Sequence, residues 1–190
     1  MKYFLIAGER SGDVYGAKLI AALLKKDPMT QIVCYGGDEM KAAGGELLSH
    51  YKESAFMGFY EVFTNFRVIK KKLNTCKKEL LAFHPDAVIF IDYPGFNLRM
   101  AAFAKRQGLR TIYYISPKIW AWYKGRIKEI RSFVDKLLVI FPFEVPFYKS
   151  LNYPVEYVGN PLIEHIDSYE LDISFKRSES HRWNIAFLPG

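Results

Sequence analysis

Short apolar runs recur along this chain, each followed by a turn signal and then a stretch with helical spacing. Tyr3–Ala7, Gln31–Tyr35, Ala87–Ile91, Arg110–Ile115, Lys136–Ile140 and Val155–Val158 read as strands, and Leu47-Leu48 as a brief one. Val14–Lys26 carries Leu19, Ile20, Leu23 and Leu24 on one stripe and stops before Asp27-Pro28. Further helices are expected from Gly36-Gly37 to Ala43, and over Phe59–Phe83, Leu98–Gln107, Lys124–Phe133 and Phe143–Ser150. Continuous apolar strands alternating with helices imply an α/β fold with a doubly wound parallel sheet.

The end of the chain extends the pattern. Asn184–Leu188 is strand-like and meets Pro189-Gly190, as though a second α/β domain were opening. The preceding stretch is polar and mixed. The expected organisation is therefore one domain over 1–162, a linker over 163–183 and the first strand of a truncated domain over 184–190. Such a piece should fold without turning over substrate.

Composition narrows the chemistry. The 190 residues carry a net charge of +7, which suits an anionic membrane surface, a phosphorylated substrate or nucleic acid. Fifteen Phe, 13 Tyr and three Trp supply more aromatic surface than a modest core demands. Cys34 and Cys76 lack metal-type spacing and define no disulfide framework, which fits a reducing cytoplasm. The N-terminal apolar run is too short for a secretory signal or a membrane span, so any membrane contact should be peripheral. No H-E-x-x-H, Cys/His cluster or Asp-x-Asp supports metal catalysis, and no Gly-x-Ser-x-Gly elbow supports a serine hydrolase.

In an open parallel sheet, ligands bind at the carboxyl ends of the strands, and the polar residues gather there. "GERSGD" after the first strand is not a dinucleotide fingerprint. Ser11 and Gly12 could meet a substrate phosphate, and Glu9 could accept from sugar hydroxyls; Asp13 could equally be a first-turn residue favoured by the helix dipole. In "FIDYPGFN", Asp92 leaves a buried strand partly desolvated, which raises its basicity, and Asn97 can cap the next helix. The plain alternative makes Asp92 a turn former. "SPKIWAWYKGR" offers Trp120 and Trp122 for stacking on a sugar or for a structural cluster, and Arg126 for a phosphate or a surface ion pair. Around "FMGFYEVFTNFRVIKKK", Phe59, Tyr60, Phe63, Phe66 and Ile69 could insert into lipid beside Lys70, Lys71 and Lys72. A core helix with a solvated basic face would read similarly.

Taken together, "AGERSGD", "YGGDEMKAAGG", "FMGFYEVF", "HPDAVIFIDYPGFN", "YYISPKIWAW", "FPFEVPFY" and "YVGNPL" occur in an order and spacing that resembles the N-terminal half of the lipid-A-disaccharide synthase family. Singly these pieces are weak; seven in order are specific, and they cover nearly the whole chain.

The resemblance implies a Rossmann-like N-terminal domain of a two-domain GT-B architecture, acting as an inverting, metal-independent glycosyltransferase of lipid A biosynthesis without a cofactor. It implies that UDP-2,3-diacylglucosamine donates its sugar to 2,3-diacylglucosamine 1-phosphate (lipid X). The products are a disaccharide 1-phosphate and UDP. The nucleotide would be held mostly by a C-terminal domain missing from these residues. The implied setting is the cytoplasm, peripheral to the inner membrane of a Gram-negative cell, with no nucleic-acid partner. Asp92 falls on the family aspartate of I-D-x-P and is the candidate base; Glu9 falls on the acidic position of G-E-x-S-G-D and would orient the acceptor. Asp13 ends that loop, and Trp120, Trp122 and Arg126 match the W-A-W…R stretch. The histidines, His50, His84, His165 and His181, are not expected at the strand-end rim.

The chain departs from the pattern at three positions. Gly95 stands where many members carry a second Asp, Asn160 where a His is frequent, and Arg10 where a small residue is usual. A UDP-sugar epimerase of the same architecture would share the rim without needing a lipid-facing helix. A non-catalytic peripheral membrane protein would need neither Glu9 nor Asp92.

Overall fold

A computed structural model describes residues 1–55, 66–121 and 124–167. Among these residues, seven strands form one sheet: β1 (Lys2–Ala7), β2 (Gln31–Gly36), β3 (Glu46–His50), β4 (Ala87–Ile91), β5 (Arg110–Tyr114), β6 (Lys136–Val139) and β7 (Glu156–Tyr157). The spatial order is β3-β2-β1-β4-β5-β6-β7, with every pairing parallel. The chain winds outward from β1 in one direction and from β4 in the other. The reversal therefore lies between β1 and β4, as in a Rossmann-like doubly wound sheet.

Both faces of the sheet are covered. Helices α1 (Arg10–Lys26) and α2 (Asp38–Ala42) belong to one face, where Leu5, Ala7, Ile20, Cys34, Met40 and Ile91 form a core. Helices α4 (Phe66–Phe83), α5 (Pro94–Arg106), α6 (Ile127–Phe133) and α7 (Glu144–Ser150) cover the other, around Phe4, Ile6, Leu80, Phe90, Met100 and Tyr148. Alternate residues of β1 serve opposite cores, as the two-residue period of a strand requires. A four-residue helix, α3 (Lys52–Ala55), follows β3, and a 3-10 turn (Lys124–Arg126) leads into α6.

The chain divides into two compact units, Met1–Gly159 and Asn160–Gly190. In the second, α8 (Pro161–Asp167) opens with Asn160 Oδ1 accepting from the Leu162 N–H at 3.0 Å. The division anticipated after residue 162 falls inside this helix. The strand anticipated over 184–190 and the rest of the linker lie outside the described residues.

Two helices start a turn earlier than their spacing suggests. Helix α1 begins at Arg10 rather than Val14, and α5 at Pro94 rather than Leu98. Each first turn is written in residues that read as a loop, Arg-Ser-Gly-Asp and Pro-Gly-Phe-Asn. Proline is at home there because the first helical N–H needs no partner. The described part of the long helix begins at Phe66. Its Leu73, Cys76, Leu80 and Phe83, spaced three or four apart, pack into the core, so the helix from Leu73 onward is a core helix.

Asp13 ties the β1 and β2 arms together. Its carboxylate is 2% exposed and accepts the Gly37 N–H at 2.7 Å, the Met40 N–H at 3.1 Å and the Glu39 N–H at 3.2 Å. These bonds fix the start of α2 against α1. Removing a charged acceptor strands three backbone donors, so Asp13→Ala should lower the unfolding free energy by about 3 kcal/mol. Asp13→Asn should lose less, because one amide oxygen can still serve Gly37 and Met40. Urea unfolding, compared at constant m-value, checks both.

Candidate functional site

The β1–β4 reversal sets the site. Ala7 pairs with Ile91, so Gly8 and Asp92 leave the sheet side by side. A Cβ on Gly8 would lie 2.2 Å from the Tyr93 ring, so the first residue of the opening loop is glycine to let that ring lie across it. Glu9 is the N-cap residue of α1; it is exposed and makes no side-chain capping bond.

Asp92 stands opposite on an unusual turn. Asp92 and Tyr93 have φ of 45° and 46°, and Ile115, which follows β5, has φ of 64°. Left-handed backbone costs a residue with a Cβ roughly 1–2 kcal/mol, and a β-branched residue is a rare occupant. Three such positions around one rim mark it as held by its surroundings. Asn97 supplies much of the hold. Fully buried in the first turn of α5, its Nδ2 donates towards the carbonyls of Asp92 at 2.8 Å, Ile6 at 3.2 Å and Ile91 at 3.3 Å. The three oxygens fix the orientation of the amide, since a flipped Asn97 would set its own oxygen against them. The Tyr113 hydroxyl donates to the Asp92 carbonyl at 2.6 Å.

The Asp92 carboxyl is half-buried, and burial pushes its pKa above the ordinary carboxylate value; the Glu9 charge adds to the rise, while Lys118 and the Tyr93 N–H oppose it. Burial followed by Glu9 also raises the Tyr93 phenol. Burial and then Asp92 raise Tyr15, on α1. Two carboxylates thus act on each other electrostatically at the reversal, one exposed and one desolvated. Separate environments of this kind suit separate roles in proton transfer and hydroxyl binding.

The remaining expected site residues divide. Ser11 is exposed on the first turn of α1, at the same rim. Gly12 turns inward, where an added Cβ would approach Ala7 Cβ to 3.1 Å; its role is close helix–strand packing. Asp13 is a structural staple, with no open face for a substrate. Asn97 holds backbone carbonyls beneath the site and does not cap α5, whose N-cap residue is Tyr93. Trp120 is half-buried, edge-on to Phe143 at 5.0 Å, and its buried indole N–H has no acceptor among the described residues. Arg126 is half-buried, and its charge acts on the buried Tyr113 phenol. Trp122 lies outside the described residues.

The basic stretch also divides. Lys70 and Lys71 are exposed, and Ile69 is half-buried. Lys72 turns inward: its ammonium lies 5.8 Å from the centre of the Tyr35 ring, and the side chain lines a narrow crevice with Gly8, Ser49, Tyr51 and Tyr93. It is thus withdrawn from the surface assigned to it by sequence. Phe59, Tyr60 and Phe63 lie outside the described residues, as does the side chain of Phe66.

The residues missed by sequence reasoning are Tyr15, Tyr93, Tyr113 and Lys118, all tied electrostatically or by hydrogen bonds to Asp92. Lys118 could have been found from its place in the Ser116–Trp120 loop. His50 corrects the expectation for histidines, because it ends β3 at the rim. It is engaged there, with Nδ1 accepting the Lys52 N–H at 3.0 Å and Nε2 lying 3.4 Å from Asp38. It stands two strands away from β1, at the sheet's edge.

Residues 3–190 match the family model described as lipid-A-disaccharide synthetase. A lipid-A-disaccharide synthase of Trichlorobacter lovleyi is 45% identical over 166 residues, covering 87% of this chain and 43% of the relative. One from Geobacter metallireducens is 42% identical, covering 94% and 45%; one from Coxiella burnetii is 45% identical, covering 83% and 42%. The chain thus spans rather less than half the length of these relatives. Among solved structures, a UDP-GlcNAc 2-epimerase from Neisseria meningitidis, bound to UDP-GlcNAc, superposes with a TM-score of 0.60 at 13% identity. The likeness covers 88% of this chain and 48% of that one, and it shows a shared fold alone.

The raised pKa of Asp92 has a consequence for stability. Below the unfolded-state value both states are protonated. As pH rises through the interval up to the native value, the native state holds the extra proton, so stability falls with pH and the full cost remains at neutrality. Asp92→Asn should therefore be at least as stable as the parent at neutral pH and should lose that advantage near about pH 3. Thermal unfolding at the two pH values tests this; a variant less stable than the parent at neutrality would contradict it.

Proposed function

Because this chain belongs to the lipid-A-disaccharide synthetase family, we propose that it forms the acceptor side of an inverting glycosyl transfer in lipid A biosynthesis. The observation that carries the reading is the pairing of Glu9 with the desolvated Asp92 across the β1–β4 reversal. The donor is UDP-2,3-diacylglucosamine and the acceptor 2,3-diacylglucosamine 1-phosphate. The acceptor's primary hydroxyl oxygen forms a bond to the donor's anomeric carbon. The bond from that carbon to the UDP oxygen breaks, and UDP leaves with the electron pair. Asp92 takes the hydroxyl proton, and Glu9 accepts a hydrogen bond from the acceptor to orient it. Inversion needs attack from the face opposite UDP, so the base belongs across a cleft from a second, nucleotide-holding domain in a GT-B arrangement. The basicity conferred by burial suits Asp92 to this task.

The acceptor is acylated, and the exposed Lys70 and Lys71 fit peripheral contact with an anionic inner-membrane surface. Among the described residues, no helix is long and apolar enough to cross a membrane.

In the intact protein, Asp92→Asn should lower kcat by about 10²–10⁴-fold, the usual worth of a general base. A loss below about tenfold would return Asp92 to the role of a turn residue. A larger loss in Glu9→Gln than in Asp92→Asn would exchange the two roles. Epimerisation of UDP-sugar without transfer would overturn the reaction class.

The membrane reading has its own test. At roughly 1 kcal/mol per lysine, Lys70→Ala with Lys71→Ala should weaken partitioning onto anionic vesicles about 30-fold at low salt. Neutral vesicles should show no such difference, and equal sedimentation of parent and variant with anionic vesicles would refute the contact.

A further inference from the structure

Tyr113 occupies the interior of β5, with a fully buried ring beneath the site. It touches Asp92 through backbone. Its hydroxyl donates to the Asp92 carbonyl at 2.6 Å, and Asn97 Nδ2 donates to the same oxygen at 2.8 Å. Two buried donors from two elements converge on one peptide oxygen. That oxygen belongs to the first of two consecutive residues in left-handed backbone. Peptide and carboxylate are parts of one residue, so the orientation of the carbonyl sets where the side chain leaves the turn. Arg126 lies near enough for its charge to act on the Tyr113 phenol, so a family-matched cation is electrostatically coupled to the same ring.

We propose that Tyr113 is a positioning residue for the general base. Its hydroxyl, together with the Asn97 amide, locks the Asp92 peptide in the left-handed turn that presents the carboxylate at the β1–β4 rim. The inference rests on the reading of Asp92 as the base. It assigns Tyr113 no contact with substrate and no proton to transfer. Removing the hydroxyl leaves Asn97 as the single donor to that carbonyl among the described residues and frees the turn to relax, which withdraws the carboxylate from the attacking oxygen. Ångström-scale misplacement of a reacting group costs up to about 10²-fold in rate.

The test compares two variants of the intact protein that each delete one buried tyrosine hydroxyl. Tyr113→Phe removes the donor to Asp92. Tyr153→Phe removes a hydroxyl that donates to the Val134 carbonyl at 2.9 Å, remote from the rim, and serves as the matched control. Expected for Tyr113→Phe is a fall in kcat of about 10- to 100-fold with KM within about twofold of the parent. Tyr153→Phe should leave kcat within about twofold even where it lowers Tm comparably. The acid limb of the kcat profile should also move to lower pH in Tyr113→Phe, because a loosened carboxyl is better hydrated. The groups acting on Asp92 (Glu9, Lys118, Tyr15 and the Tyr93 N–H) are unchanged by the substitution. Placing 4-aminophenylalanine at position 113, which restores a donor on the same ring, should recover kcat.

Parent-like kcat in Tyr113→Phe would overturn the proposal, as would equal losses in both tyrosine variants. A Tyr113→Phe chain that fails to fold while Tyr153→Phe folds would overturn it too, since the hydroxyl would then be holding the fold. Asp92→Asn separates the two readings: full activity there defeats the base assignment itself, whereas its loss beside an active Tyr113→Phe defeats the positioning role alone.

Discussion

One buried amide holds the centre of this molecule. β1 and β4 part at the reversal of strand order, and Asn97 bridges them there, with Nδ2 donating towards the carbonyls of Ile6, Ile91 and Asp92 together. Buried carbonyls left without donors are costly, which makes an amide here worth more than a packed apolar side chain. The same contact holds the Asp92 carbonyl at the rim from which Glu9 and Asp92 emerge, so one side chain ties fold and site together although it need never meet a substrate.

Carboxylates at this rim perform two kinds of work. Asp13 spends its oxygens on the N–H groups of Gly37, Glu39 and Met40. Glu144 does the same on the other arm: it accepts from Ile140 and Phe141 at 3.2 and 3.0 Å and from the Ser116 hydroxyl. Both are 2% exposed and close the loop beside them. Glu9 and Asp92 are less committed: Glu9 is exposed and makes no side-chain capping bond, and Asp92, which takes the neighbouring Tyr93 N–H, is only half-buried. Carboxylates with open faces are available to a ligand, and these two are the pair at the reversal.

The fold was largely legible because its strands are short, apolar and separated by strong turn residues. Ala87–Ile91 could be read to the residue, since Pro85 precedes it and Asp92 ends it. The first turns of α1 and α5 could not, because Ser, Gly, Asp, Pro and Asn serve loops and helix starts alike. That ambiguity carried into the site. Asp13 could be a loop carboxylate for substrate or a first-turn helix residue; the structure makes it the latter, and that place aims it at the neighbouring strand's loop. Asn97 looked like a cap for the same reason. Lys72 was indistinguishable from Lys70 and Lys71 in a run of three, because only the packed helix decides which lysine turns inward. The partners of Asp92 were hidden differently: Tyr113 and Lys118 come from another strand and its loop, and parallel register alone brings them together.

The topology also bears on how an acylated substrate would meet the proposed base. After β3 the chain is at the carboxyl ends of the strands, and β4 must begin at the opposite end. Helix α4 therefore starts near the rim and runs down the sheet. Its far portion, Leu73–Phe83, is committed to the core and cannot leave it without exposing Leu80 and Cys76. Any lipid contact made by this helix is thus confined to its first turns, where Lys70 and Lys71 are exposed and Val68 is 42% exposed. Those turns adjoin the crevice that Lys72 shares with Gly8 and Tyr93, one residue to either side of Glu9 and Asp92. In the proposed reaction, a lipid contact at the first turns of α4 would therefore lie at the same end of the sheet as Asp92, so that acyl chains held in a bilayer and a sugar at the rim would call on one end of one helix.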